Sequence, residues 1–197
     1  MPERVAAILL AAGRSRRMGR CKQLLPLGGS TVLGRCLDTL VAAGLDDIVV
    51  VVSPAGEAVA AEARRYPVRV VVNPEAEGDM ASSLRVGRDA LAEGISGVVV
   101  ALCDYPLVLP ETIARLQETH HQEPDRIIIP THDGRRGHPL LVPRLILEEL
   151  EGDLTLRDLA HRDPARLRTI EVDDPGILLD MDTPEEYRRL CDLVAAS

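Results

Sequence analysis

Hydrophobic and polar positions follow two different periods along this chain. Short, nearly unbroken apolar runs bounded by turn residues predict strands buried on both faces, at Arg4–Leu10, Ile48–Val52, Val68–Val72 and Val98–Leu102. The last is the most continuous and is the expected central strand. Between them, helical spacing takes over. From Ser30, read as an N-cap, to Ala43, the residues Val32, Leu33, Cys36, Leu37, Leu40 and Val41 share one face, and Gly44 follows as a stop. Further helices are predicted from about Pro54 to Arg65, over Ser82–Glu93 with Leu84, Gly87 and Leu91 facing inward, and from Pro110 to about His121. Arg126–Val142 reads as two strands around the turn Asp133-Gly134. Short helices near Arg144–Leu150 and Thr155–His161, a strand at Leu167–Val172 and a short strand at Ile177–Leu179 come next. Thr183-Pro184-Glu185-Glu186 is a capping box with proline in the first turn, and it opens a closing helix that aligns Tyr187, Leu190, Cys191 and Val194.

Strands alternating with helices predict a layered α/β architecture with a mostly parallel sheet and an antiparallel hairpin section grafted onto it. No repeat or low-complexity stretch interrupts the 197 residues, so 1–197 reads as a single domain. Composition removes several function classes. With three Tyr, no Phe and no Trp, an aromatic platform for single-stranded nucleic acid is absent, and a net charge of −8 argues against a nucleic-acid partner in general. No apolar run is long enough to cross a membrane, and the N-terminus lacks the order of features that export requires. Cys21, Cys36, Cys103 and Cys191 are scattered, with no CxxC, which suggests neither a zinc site nor a disulfide framework. The expectation is a cytoplasmic enzyme.

Charge becomes informative when it is resolved along the chain. Arg14, Arg16, Arg17, Arg20 and Lys22 form a cationic island in an otherwise acidic protein, the pattern of one anionic small-molecule site. Lys22 is the only lysine among 23 basic residues, marking a place that needs a compact ammonium rather than a planar guanidinium. In a parallel sheet, ligands bind beyond the carboxyl ends of the strands. The residues predicted there are Ala11-Ala12-Gly13, Ser53, Asn73, Cys103-Asp104 and Asp180-Met181-Asp182. Glycine, an amide and three carboxylates at one edge suit a phosphorylated ligand held by backbone amides and a divalent metal. The adjacent His120-His121 at a helix end is read as solvated surface.

The glycine loop fits neither the Walker pattern GxxxxGK nor the dinucleotide fingerprint GxGxxG. Leu10-Ala11-Ala12-Gly13-Arg14-Ser15-Arg16-Arg17-Met18-Gly19-Arg20-Cys21-Lys22, followed by Leu24-Leu25-Pro26, instead closely resembles the LAAGxSxRMGxxKxLLP signature of the molybdenum cofactor cytidylyltransferases, within the MobA-like NTP transferases. Asn73 with Gly78-Asp79-Met80-Ala81-Ser82-Ser83-Leu84 is similar to the NxxxxxGMxxSL segment of that family. Asp104-Tyr105-Pro106 resembles its DxP metal motif, Gly137-His138-Pro139 its GHP, Gly152-Asp153 with Leu156-Arg157 its GDxGxR, and Asp180–Pro184 its closing DIDTP. The resemblance covers nearly the whole chain. Two departures, Thr155 in place of glycine and Val142 in place of an aromatic, both lie on the acceptor side.

The resemblance implies a three-layer, Rossmann-like nucleotidyltransferase fold and transfer of CMP from CTP to the phosphate of molybdopterin, with Mg²⁺ and release of pyrophosphate. An acceptor phosphate is already ionised at neutral pH, so catalysis should rest on alignment and charge neutralisation rather than on a strong base. Leu10, Ala11, Ala12, Gly13 and Ser15 would bind the nucleotide, the backbone amides of Ala12–Ser15 holding its phosphates, while Arg17 and Lys22 would offset charge on the departing pyrophosphate. Asp104, with Asp180 or Asp182, would hold the metal. Asn73, Ser82, Ser83 and His138 are candidate contacts to base, ribose or acceptor, against the plainer readings of a turn amide, a helix cap and a loop residue. Relatives that transfer guanylate usually read LAGG, so the Ala12 methyl is expected to narrow the base site in favour of a pyrimidine. The alternatives are the same chemistry on a sugar or alditol phosphate, and a non-catalytic binder that chaperones the cofactor to a molybdenum-containing oxidoreductase.

Overall fold

A computed structural model describes residues 4–13, 18–75, 79–152 and 154–196. The first half runs β1 (Arg4–Leu10), a 3-10 turn (Lys22–Leu24), the small ladder of β2 (Pro26–Leu27) with β3 (Ser30–Thr31), α1 (Val32–Ala42), β4 (Ile48–Val52), α2 (Glu57–Ala63), β5 (Arg69–Val72), α3 (Met80–Asp89) and β6 (Ile95–Leu102). The second half runs α4 (Pro110–Gln122), β7 (Ile127–His132), β8 (Arg135–Arg136), β9 (Leu140–Pro143), α5 (Arg144–Glu148), α6 (Leu156–Arg162), β10 (Leu167–Glu171), a 3-10 turn (Pro175–Leu178) and α7 (Pro184–Ala195).

The main sheet has the order β10-β7-β9-β6-β1-β4-β5, with β8 paired to β7, so the expected central strand is central. β6, β1, β4 and β5 are mutually parallel, as are β10 and β7. Among the described strands of this sheet, only β9 and the short β8 run against their neighbours, which is the antiparallel section the Asp133-Gly134 turn announces. Both residues of that turn adopt positive φ, 50° and 73°.

Side chains alternate across the sheet and feed two cores, one per face. Ala7, Leu9, Val50, Val52, Val99 and Ala101 face the layer built by α1, α2, α4 and α7. Ala6, Ile8, Val49, Val51, Val98 and Val100 face the layer that includes α3, α5 and α6. The architecture is therefore three-layered, and burial on both faces explains why these strands are apolar without interruption. α3 lies especially close to the sheet: a Cβ on Gly87 would sit 2.6 Å from Ile8 Cγ2.

Several boundaries differ from the expectation, each for a local reason. Ser30 belongs to β3, and Thr31 caps α1 by accepting from Gly34 N–H at 2.9 Å. The helix expected from Pro54 begins at Glu57, because Ser53–Gly56 closes a turn through Gly56 N–H to Ser53 O. The short strand expected at Ile177–Leu179 is a 3-10 turn, whose start is capped by the Asp174 carboxylate accepting from Gly176 N–H at 2.8 Å. His120 is a correction too. It is fully buried against Gly97, where a Cβ would come within 2.6 Å of its Nε2, while His121 is exposed. The capping box at Thr183 forms as predicted, with Glu186 accepting from the N–H groups of both Asp182 and Thr183.

Candidate active site

Strand order reverses at β1, since β4 and β5 extend the sheet to one side and β6 to the other, and this is where a doubly wound sheet opens a crevice. The ladder continues slightly past the strand ends. Ala11 N–H donates to Val51 O at 2.9 Å, Cys103 N–H to Leu10 O at 3.1 Å and Asn73 N–H to Val52 O at 2.9 Å. The backbone at Leu10–Ala11 and at Cys103 is thus fixed by the sheet just before each segment enters the crevice.

Lys22 lies at the centre of the constellation. Its 3-10 turn brings the side chain under the crevice, where Nζ donates to Asp104 Oδ2 at 3.0 Å, Asp182 Oδ1 at 2.8 Å and the carbonyl of Met181 at 3.2 Å. Burial by itself would lower the pKa of this ammonium. The charges and hydrogen bonds of Asp104 and Asp182 outweigh that and hold it above its ordinary value, so Lys22 is a permanent cation. Asp182 does not cap α7, a role that belongs to Thr183. Its backbone N–H is held by Glu186, and its carboxylate is on the lysine. Asp180 stands close by, and burial first, then the charges of Glu186, Asp182 and Asp104, raise its carboxyl.

Asp104 Oδ1 is buried and has no hydrogen-bond partner among the described residues, while Oδ2 is on Lys22. Such an oxygen suits a hard cation. Among the described residues no group of three or more His, Cys, Asp or Glu side chains is placed to hold a metal ion. With the free Asp104 oxygen, the donors fit a divalent cation held by one or two carboxylates, its shell completed by substrate oxygens and water.

Two clefts open elsewhere on the described residues. One, of about 650 Å³, is walled by Ala11, Gly13, Gln23, Ser53 and Gly56 among others, and Lys22 is joined to it through Cys21 and Gln23. Ala12 is half-buried and is not among its walls. The other, of about 690 Å³, has an apolar floor that includes Leu84, Val100, Leu102, Ile127 and Ile129, with Arg136, Arg157 and His161 among its polar walls. His138 lines this second cleft and packs its ring 4.9 Å from that of Tyr105. Burial lowers the His138 pKa, against the pull of Asp104 and Asp180, and keeps the ring neutral near pH 7. Tyr105 is pushed up to about 12, first by burial and then by Asp180, Asp104 and Asp182, so its phenol stays protonated.

Asn73, Ser82 and Ser83 come together but bond to one another. Asn73 Nδ2 donates to Ser82 Oγ at 2.8 Å and Ser83 Oγ at 3.0 Å, and each residue is only 2–3% exposed. They form a clasp between the end of β5 and the start of α3. The cap of α3 is Asp79, not Ser82, and accepts from Ser82 N–H at 2.7 Å. Thr155 likewise has a local function. It caps α6 in a reciprocal box with Asp158, which accounts for a hydroxyl where relatives carry glycine. Val142 is fully buried in β9, paired with Val98 of β6. Ser15 and Arg17, with Arg14 and Arg16 of the cationic island, lie outside the described residues, as do Gly78 and Asp153. Sequence reasoning passed over Gln23, which lies in a variable position of the glycine-loop signature; its only signal is an amide set among buried apolar neighbours.

Comparison with known proteins agrees with this geometry. Residues 7–168 match the family model described as MobA-like NTP transferase domain. Nicotine blue oxidoreductase of Paenarthrobacter nicotinovorans is 32% identical over 94% of this chain and 96% of its own. The crystal structure of Rv0371c from Mycobacterium tuberculosis superposes with a TM-score of 0.81 at 34% identity, covering 98% of this chain and 100% of that one, and Rv0371c has also been solved in complex with manganese. A nucleotidyl transferase from Methanothermobacter thermautotroptrophicus superposes with a TM-score of 0.85 at 27% identity, covering 98% of both chains. No helix among the described residues is long and apolar enough to cross a membrane. With the sheet order and the carboxylate-bound lysine in place, the chain belongs to the MobA-like NTP transferase domain family and is a nucleotidyltransferase.

Proposed function

We propose that this protein transfers CMP from CTP to the phosphate of molybdopterin, with Mg²⁺ as cofactor. The observation that carries the reading is the Lys22–Asp104–Asp182 knot, whose lysine is flanked in sequence by Cys21 and Gln23 on the wall of the cleft beside the glycine loop. An oxygen of the acceptor phosphate would attack the α-phosphorus of the nucleotide, and the bond to the bridging oxygen of pyrophosphate would break. Neither step needs a strong base, in keeping with a neutral, buried His138 and a protonated Tyr105. Lys22 would orient the phosphates and balance the charge that accumulates on the leaving group. Asp104, with Asp182, would hold a Mg²⁺ whose contribution is to neutralise triphosphate oxygens, and the manganese complex of Rv0371c supports a divalent ion here. The apolar floor of the second cleft supports a ring-bearing phosphorylated acceptor over a polyol phosphate, because a polyol would leave its hydroxyls without partners there.

The test is melting temperature against CTP, GTP, ATP and UTP, with and without Mg²⁺, for the wild type and Asp104→Ala. A ligand at 100 times its Kd adds about 2.7 kcal/mol, a rise of about 5–10 °C for a chain of this size. A Mg²⁺-dependent CTP shift that Asp104→Ala abolishes supports the site, and pyrophosphate release with molybdopterin then tests the acceptor. No shift with any nucleotide sinks the proposal. The similarity to nicotine blue oxidoreductase carries a second reading, a redox reaction on a compound held in the apolar cleft. It gains if the protein shows redox turnover of nicotine blue and releases no pyrophosphate.

Base choice rests on the resemblance, because Ala12 has no place on the wall of the first cleft. Ala12→Gly is expected to improve GTP use relative to CTP in steady-state kinetics. An unchanged ratio removes the steric account and leaves the reaction class intact.

A further inference from the structure

Gln23 has no part in the reaction as drawn above, yet it is only 2% exposed and stands next to Lys22 in the same 3-10 turn. Its Nε2 donates to the carbonyl of Ala11 at 3.0 Å and to the carbonyl of Gly13 at 2.7 Å. Its Oε1 accepts from the Cys21 thiol at 3.2 Å, which sets the amide with its NH₂ toward the loop. The two carbonyls belong to the segment where the chain has just left the sheet. The last ladder bonds at this edge are Ala11 N–H to Val51 O and Cys103 N–H to Leu10 O. Beyond them the amide of Gln23 continues the restraint.

The orientation has a consequence for ligands. In a trans peptide the C=O and the next N–H point in opposite directions. A carbonyl of Ala11 drawn onto Gln23 therefore turns the Ala12 N–H away from it. Ala11, Gly13 and Gln23 share the walls of the first cleft with Ser53 and Gly56. An apolar side chain at position 23 could fill the same volume, but it would leave two loop carbonyls unpaired and the loop free to turn over.

We infer that Gln23 is a positioning residue for the nucleotide: it holds Ala11–Gly13 in the one orientation that presents the Ala12 and Gly13 amides to phosphate, and it ties that orientation to Lys22, one residue away. The inference rests on the nucleotidyl-transfer reading of the first cleft. It assigns to one 3-10 turn both the cation and the setting of the loop.

The test is calorimetric titration of the full chain with CTP and Mg²⁺, for the wild type, Gln23→Met and Cys21→Ala, together with melting temperatures and steady-state KM values. Gln23→Met keeps length and volume and removes both donors. It is expected to raise the Kd and KM for CTP at least tenfold, or about 1.4 kcal/mol, and to leave the acceptor KM within twofold. Cys21 is exposed, so its loss does not endanger folding, and Cys21→Ala should raise the Kd two- to threefold by releasing the amide to flip. A purely structural role lowers the melting temperature of Gln23→Met and leaves the Kd of the folded protein at the wild-type value, and that result overturns the inference. If Gln23→Met does not fold, a wild-type Kd for Cys21→Ala overturns it instead. A wild type that binds no nucleotide defeats the underlying reading, and this inference with it, an outcome distinct from unequal binding by the variants.

Discussion

Pyrophosphate release by Lys22→Met is expected to fall by about 10²–10³-fold, the loss of about 2–4 kcal/mol of transition-state stabilisation that removing one preorganised donor brings about. Methionine conserves the apolar stem and the packing around it, so the change isolates the ammonium. In the wild type that ammonium is drawn toward Asp104, Asp182 and the Met181 carbonyl, three groups converging from two distant segments. Without it, Asp104 and Asp182 would face one another across the same space with no intervening charge. Lys22→Arg should rescue little, since a planar guanidinium cannot place its donors in the geometry that suits a compact ammonium. Because the cation acts on charge that develops during transfer, kcat should fall more than the KM for CTP rises. A Lys22→Met enzyme within tenfold of wild type would show that another group neutralises the leaving pyrophosphate.

The largest effect on stability is expected at Asp174, a buried carboxylate outside the reaction. Its Oδ2 accepts from Leu109 N–H at 2.9 Å and Thr112 Oγ at 2.6 Å, and its Oδ1 from Gly176 N–H at 2.8 Å. It therefore joins the start of α4 to the 3-10 turn that leads into Asp180–Asp182, and the Ile177 carbonyl of that turn accepts from His138 N–H at 3.0 Å. Close packing leaves no slack, since a Cβ on Gly176 would overlap the carbonyl of Leu107. Hydrogen bonds to a charged group contribute about 1.5–3 kcal/mol each, and donors stranded in the interior carry a further penalty. Asp174→Ala should thus lose about 3–5 kcal/mol in denaturant unfolding and melt about 10 °C lower. Asp174→Asn keeps one acceptor and should lose less. Equal losses for the two would mean that packing, not hydrogen bonding, holds this junction.

Those two residues divide what could be read from the chain and what could not. β1 and β4 match their predicted limits because an uninterrupted apolar run has few alternatives to a strand buried on both faces. The start of α7 was legible for a similar reason, as the capping box is satisfied within four residues. The failures share the opposite property. The Ile177–Leu179 run looked extended by its apolar character, but the Asp174 carboxylate and the contact with Leu107 bend it. His120 reads as solvent-facing from its place at a helix end, but a glycine in a neighbouring strand admits it to the core. Asn73, Ser82 and Ser83 were legible as a group at the crevice, but their clasp arises only when β5 and α3 meet.

The candidate site shows the same division. Strand-end positions and the family resemblance point to Lys22, Asp104 and the pair Asp180 and Asp182, and the mostly parallel α/β class follows from the alternation of periods. Which carboxylate joins Asp104 on the lysine is a different kind of fact, because Lys22 and Asp182 are 160 residues apart in sequence and meet only after the sheet has formed. The same is true of Gln23, whose amide reaches back to carbonyls that the strand has already aimed. Periodicity, caps and turns are short-range energies written into neighbouring residues, so the chain determines them by itself. The pairing of polar groups inside the crevice depends on the tertiary structure, since burial removes water as their partner and leaves each group only those that the fold brings within reach.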